Sequence, residues 1–123
     1  MQGEHHDASY LAAFGREWIE TWNTHDLERI LAMYSDDSEM TTDRIVAIGL
    51  AASGTLRGKD MLRVYWGKGL QLIPNLHFTL IDTYVSPDSV VVFYRNERGK
   101  QICEYLRLNA ENKIMQGSAN HLH

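Results

Sequence analysis

The chain has one cysteine, Cys103, among its 123 residues. A lone thiol excludes an intramolecular disulfide and makes a reducing, cytoplasmic setting the default expectation. No apolar run approaches the ~20 residues that a membrane span needs. The opening "MQGEHHDASY" is polar and acidic and has no apolar signal core. Dense Lys/Arg runs are absent too. The formal net charge of −4 argues against a generic nucleic-acid or anionic-membrane surface. There is no internal repeat, low-complexity segment or linker. "GTLRG" lacks the Walker spacing and its Lys-Ser/Thr pair, and neither a nucleotide fingerprint nor a Ser-His-Asp order is found. Cys103 has no obvious base beside it and is not read as a nucleophile. What remains is ordinary globular composition, with 44% hydrophobic and 23% charged residues. The length suits one domain with a real core. Residues 1–7 are expected to be a mobile N-terminus, and residues 8–123 a single domain.

Apolar residues at Leu11, Phe14, Trp18, Ile19 and Trp22 form one broad helical stripe. Gly15 weakens that helix by roughly 1 kcal/mol relative to Ala. "NTHD" breaks it, and Asp26 is placed to N-cap a second helix, Leu27 to Tyr34, which "SDDS" stops. Short strand character follows at Glu39 to Thr42. The apolar stretch Ile45 to Ala52 has no clear period and is read as a crossing segment before a short strand, Gly54 to Arg57. A third helix runs from Lys59 or Asp60 to about Leu72, ended by Pro74-Asn75. The remainder alternates at strand spacing: Leu76 to Val85, Val90 to Arg95, Lys100 to Asn109 and Lys113 to His121. Helices first and antiparallel strands afterward make the fold class α+β.

Two features of the strands carry consequences. "VVVFY" is apolar on both faces, as a strand covered on both sides would be. Three short helices cover one sheet face only. A homodimer packed through the other face, carrying Val90, Val92, Tyr94, Cys103 and Tyr105, is therefore expected. This assignment takes "NERG" as a four-residue hairpin loop, which puts Val91, Phe93 and Arg95 on the side of Glu104. The second feature is Glu104 itself, in line with Ile102, Leu106 and Leu108. Either it escapes to water at a rim, paired with Arg95 or Arg63, or it projects into an apolar cavity, where burial raises a carboxyl's pKa.

Four strings, "WNTHDLERILAMYSDD", "GTLRGKDMLRVYW", "LIPNLHFTLID" and "NAENKIMQGSANH", together resemble the nuclear transport factor 2-like superfamily and, within it, the SnoaL-like group. The resemblance covers about Ala8 to His121. It implies a cone-shaped, strongly curved antiparallel sheet wrapped around three helices of the N-terminal half, enclosing a pocket the helices only partly fill. That superfamily includes polyketide cyclases, a ketosteroid isomerase, an epoxide hydrolase, dehydratases and non-catalytic members. Carried over position by position, the isomerase's oxyanion-hole tyrosine falls on Trp18, its catalytic aspartate on Thr42 with Asp43 adjacent, and its proton-donating aspartic acid on Glu104. Only Glu104 keeps the chemical type. Asp43, one residue along a strand, would point to the opposite face.

The candidate catalytic residues are thus Glu104 and His121. Gly117, Ala119 and His121 share a strand face on which small residues leave room for a ligand, and a Glu–His pair is an acid–base couple. The other reading of His121 is a residue at a frayed terminal strand. Trp18, Thr42, Trp66, Phe78, Phe93, Met40 and Met115 are the expected pocket wall; Trp22 and Tyr34 are read as core. Trp18, through its indole N–H, and His121 would orient or polarise the ligand. His121 and His123 have strand spacing for a metal pair, yet no third ligand suggests itself, so no metal and no cofactor are expected. Two readings stand side by side. One is a pocket protein for an apolar, cyclic, carbonyl-containing small molecule, acting as an isomerase, cyclase or dehydratase. The other is a non-catalytic ligand-binding or association domain. They differ in whether the cone is open, with Glu104 and His121 converging, or filled, with Glu104 at the surface.

Overall fold

A computed structural model describes residues 6–123. Of the N-terminal segment expected to be mobile, residues 1–5 lie outside the described residues. The first helix, α1 (Ala8–Asn23), forms where the apolar stripe predicts it, and all five stripe residues are buried. Its end is an anchor as well as a break. The Asn23 side chain donates to Phe78 O at 2.9 Å and accepts from Phe78 N at 2.8 Å. His25, at φ 61°, places Nε2 2.6 Å from Leu76 O. These contacts tie the start of the β region to the helix and fix where Phe78 lies.

Asp26 caps α2 (Leu27–Leu31), its carboxylate accepting from Arg29 N at 3.2 Å. This helix is shorter than its pattern. Tyr34 leaves the helical stripe to open β1 (Tyr34–Thr41), because sheet pairing captures it: Ile114 N donates to Met33 O at 2.9 Å, and Tyr34 lies opposite Ile114. Next comes an additional short helix, α3 (Asp43–Ala47), where a crossing segment was expected. Thr42 caps it, its hydroxyl accepting from Arg44 N at 3.3 Å. β2 (Thr55–Arg57) and α4 (Lys59–Leu72) follow, then β3 (Thr79–Ser86), β4 (Ser89–Arg95), β5 (Gln101–Leu108) and β6 (Ile114–His121).

The strands form one six-stranded sheet in the order β2-β1-β6-β5-β4-β3. All neighbours are antiparallel except β1 and β6, which run parallel, so the sheet is mixed rather than purely antiparallel. Register breaks between Tyr34 and Glu39, Leu80 and Asp82, and Arg107 and Leu108 bend it, as bulges do. The curved sheet packs α1 against β3 and β4, and α4 against β1 and β2. Gly15 marks the closest approach: a Cβ there would meet Thr83 and Val92 Cγ2 at 3.2 Å and Val90 Cγ2 at 3.3 Å. The residue that weakens α1 as a helix lets it touch the sheet.

The β4–β5 hairpin overturns one expectation. Its loop has five residues, 96–100, so that Arg95 lies opposite Gln101 and Val92 opposite Glu104. Asn96 organises the turn: its side-chain carbonyl accepts from Arg98 N and Lys100 N, both at 3.0 Å, while Gly99 takes φ 75°. One residue more than the expected four flips every β4 side chain to the other face. Val90, Val92 and Tyr94 consequently point inward, with exposures of 3% or less. Val91, Phe93 and Arg95 take the outer face beside Cys103 and Tyr105.

Candidate functional site

Between α4 and the inner face of the sheet lies a cavity of about 210 Å³. Its floor is aromatic. Trp18 stacks on Phe78 with ring centroids 5.8 Å apart, Phe78 lies 4.4 Å from Tyr94, and Trp22 meets Trp66 edge-on at 5.3 Å. Tyr34 supports Trp66 from below at 4.7 Å. All three tryptophans of the chain line the cavity.

The space exists because β6 is built of small residues there. Glu104 lies opposite Ala119, and Leu106 opposite Gly117. A side chain at Gly117 would meet Tyr105 O at 3.1 Å, so glycine is needed for that close approach. Over Glu104, the Ala119 methyl leaves room that a longer side chain would fill.

Glu104 is 3% exposed and lines the cavity. Neither of its suggested ion-pair partners reaches it. Arg63 forks onto Glu28 with bonds of 3.0 and 3.1 Å, and Arg95 lies on the outer face. Glu104 instead accepts a hydrogen bond on Oε1 from the Tyr94 hydroxyl at 2.9 Å. Burial pushes its pKa up from 4.5 to about 8, and the Tyr94 bond opposes that rise only in part. Near neutral pH the carboxyl is therefore mainly protonated. No hydrogen bond engages its second oxygen, Oε2, among the described residues. Burial, followed by the nearby Glu104 charge, raises the Tyr94 phenol well above its ordinary range. The same two causes push Tyr65, half-buried on the wall, up to about 12. Both phenols are uncharged hydrogen-bonding groups at physiological pH.

His121 lies one diagonal step from Glu104 on the same sheet face, opposite Ile102, and lines the same cavity. Its Nδ1 is 3.3 Å from Asp43 Oδ1. Asp43 thus reaches the site from α3, in a segment the sequence left unexplained. The Thr42 hydroxyl donates to Asp43 Oδ1 at 3.3 Å, holding the carboxylate toward the imidazole.

Trp18, Thr42, Trp66, Phe78 and Met40 are on the cavity wall. Phe93 and Met115 are not. Phe93 is turned outward by the hairpin parity, and Met115 sits in the β5–β6 register break beside Gln116. The Trp18 role also changes. Its indole N–H donates to Tyr34 Oη at 3.0 Å, so it is committed to the core and not offered to a ligand. Thr42 uses its hydroxyl in capping α3 and holding Asp43.

Sequence reasoning missed Tyr94, Asp43 and the charged rim. Tyr94 was lost with the loop length. "TTDR", a hydroxyl residue followed by an acid, is a helix-start signal that would have marked α3, the helix from which Asp43 reaches His121. Arg44, Lys68, Asn96, Glu97 and Arg98 also line the opening. They come from three separate elements and share no sequence pattern. Among the described residues, no three His, Cys, Asp or Glu side chains form a group that could hold a metal. No helix is long and apolar enough to cross a membrane.

Comparison with known proteins agrees with this geometry. The SnoaL-like domain family matches residues 15–111. A crystal structure of a SnoaL-like protein of unknown function from Burkholderia thailandensis is 37% identical, with a TM-score of 0.91 over 98% of this chain and 100% of that one. A candidate isomerase of the SnoaL-like family from Agrobacterium tumefaciens gives a TM-score of 0.71 at 14% identity, over 93% of this chain and 99% of that one. At that identity the likeness is one of fold. No curated protein matches the chain.

Proposed function

The chain belongs to the SnoaL-like domain family, and from that premise we propose that it is a cofactor-free enzyme moving a proton on a small cyclic carbonyl compound. The carrying observation is Glu104: a carboxyl buried in a ligand-sized cavity, with its pKa raised to about 8. The fold by itself decides nothing about chemistry.

In this reading the protonated Oε2 of Glu104 donates a hydrogen bond to the substrate carbonyl oxygen, while Tyr94 holds Oε1. His121, oriented through Nδ1 by Asp43, takes a proton from the carbon beside the carbonyl through Nε2. The C–H electron pair moves into the new carbon–carbon double bond, and the carbonyl π pair moves onto oxygen, which takes the Glu104 proton to give the enol. With a β,γ-unsaturated ketone, protonated His121 returns the proton to the γ-carbon of the dienol as Glu104 takes back the enol proton, which isomerises the substrate. With a β-hydroxy ketone, the hydroxyl leaves as water with the His121 proton as Glu104 takes back the enol proton, which dehydrates it. Each step is general acid–base chemistry. A cavity of about 210 Å³ lies below the ~300–1,000 Å³ common for drug-sized ligands, which fits a substrate of one or two rings.

The test is deuterium exchange. A panel of one- and two-ring ketones is incubated with the protein in D₂O and followed by NMR at the positions beside the carbonyl. The reading expects exchange above buffer for at least one ketone, reduced ~10²–10⁴-fold by Glu104→Gln or His121→Asn. Binding without exchange across the panel would instead make the protein a carrier. A homodimer through the outer face and a cytoplasmic setting complete the proposal. The outer face supports the first with Tyr84, 58% exposed, beside Val91, Phe93 and Tyr105; the single exposed thiol of Cys103 supports the second.

A further inference from the structure

We infer that the ligand is an amphipathic organic anion, bound with its apolar carbonyl end at Glu104 and its acidic group at the cavity mouth between Arg44, Lys68 and Arg98. This rests on the pocket reading above and adds the substrate's charge and polarity.

The wall changes character along its length. Near Glu104 it is aromatic and aliphatic. At the opening it carries three cations: Arg44 from α3, Lys68 from the last turns of α4 and Arg98 from the β4–β5 hairpin. All three are exposed, and none is in an ion pair among the described residues. Other arginines are employed structurally: Arg57 pairs with Glu39, Arg63 with Glu28 and Asp60, and Arg107 with Asp88. Two acids stand against them: Glu97 on the lining, and Asp43, next to Arg44 in sequence, with Oδ1 3.3 Å from His121 Nδ1. On a chain of net charge −4, three unpaired cations from three different elements gather at one mouth. Such a ring attracts and orients an anion as it approaches.

The span fits as well. Val92 lies opposite Glu104, and the hairpin leaves the sheet at Asn96, four residues farther along, or roughly 13 Å at strand rise. A two-ring compound carrying a carbonyl at one end and a carboxylate at the other bridges that distance. Ile48 and Leu72, 44% and 73% exposed on the lining, give the rings apolar contact where they enter.

The experiment compares 6-acetyl-2-naphthoate with its methyl ester by titration calorimetry, and by quenching of the three wall tryptophans. The pair differs at the mouth end, where a carboxylate stands against an uncharged methyl ester. The acid is expected to bind about tenfold more tightly at low salt, the scale of a few exposed ion pairs, and the gap narrows at 0.5 M salt. The triple variant R44Q/K68Q/R98Q is expected to erase the preference, so that acid and ester bind it with equal affinity. Glu97→Gln is expected to strengthen acid binding. Equal binding of acid and ester, or a preference that survives the triple variant, overturns the inference while leaving the pocket reading intact. If neither compound binds or quenches, the pocket reading falls and takes this inference with it.

Discussion

Replacing Glu104 by Gln should make the protein more stable at neutral pH and stop its stability from depending on pH over a defined range. Gln is nearly isosteric, keeps a carbonyl oxygen for the Tyr94 hydroxyl and does not ionise. The wild-type carboxyl, moved from 4.5 to about 8, represents about 5 kcal/mol at ~1.4 kcal/mol per pKa unit. Between those values the folded chain holds a proton that the unfolded chain has released, so stability falls as pH rises. The contribution is complete below 4.5 and lost as pH passes about 8. Against a total of ~5–15 kcal/mol for a small domain, that is a large fraction. The assay is urea unfolding by circular dichroism from pH 4.5 to 8.5 for both proteins. The two should agree closely at pH 4.5 and separate by several kcal/mol at pH 8, with the variant the more stable. Other titrating groups are common to both and cancel in the difference. Curves that stay parallel within ~1 kcal/mol would show that Glu104 is hydrated in solution, and would remove the reason for giving it a proton at neutral pH.

Three further outcomes follow from the packing. Ala119→Leu fills the space over Glu104, so ligand-induced changes in tryptophan fluorescence should disappear while the melting temperature holds or rises; quenching that persists would place the ligand elsewhere. Gly15→Ala should gain none of the ~1 kcal/mol that helix propensity promises, because the new methyl meets valines that are fully buried. A net loss of about 1 kcal/mol is expected by chemical unfolding, within the range for overpacked cores, and a net gain would mean the sheet yields to α1. Light scattering at micromolar concentration should find a dimer, reduced to monomer by Tyr84→Glu combined with Phe93→Glu; a wild-type monomer would sink the outer-face proposal.

The parts of this fold written in local chemistry could be read directly. The stripe of α1, the Asp26 cap, the start of α4 and the alternation of the late strands each depend on residues close in sequence. Tyr34 could not be read that way. Its spacing from Leu27 and Ile30 is helical, and what removes it from the helix is a partner eighty positions away, Ile114. The parallel β1–β6 pair was hidden for the same reason. Glu104 announced itself because a carboxylate among aliphatics is anomalous in any strand. Tyr94 gave no such signal. Its face depends on whether a loop has four residues or five, and Asn96 settles that through side-chain bonds which the letters "NERG" do not display. Asp43 was discounted on strand geometry, but the chain had already turned into a helix at that point, and helical geometry brings it to His121.

The hairpin between β4 and β5 also constrains how this protein can change. Its loop lies at the mouth and supplies Asn96, Glu97 and Arg98, so its length and composition are natural variables for adapting to new ligands. Yet the same loop sets which way Tyr94 faces. Adding or removing a single residue would exchange Tyr94 for Phe93 or Arg95 over the cavity, strip Glu104 of its hydrogen-bond donor and turn both Val90 and Val92 out of the core. Adding two would lengthen the lip and leave the interior untouched. Variation at this mouth is therefore expected to come in even steps, with recognition free to drift while the buried acid stays in place.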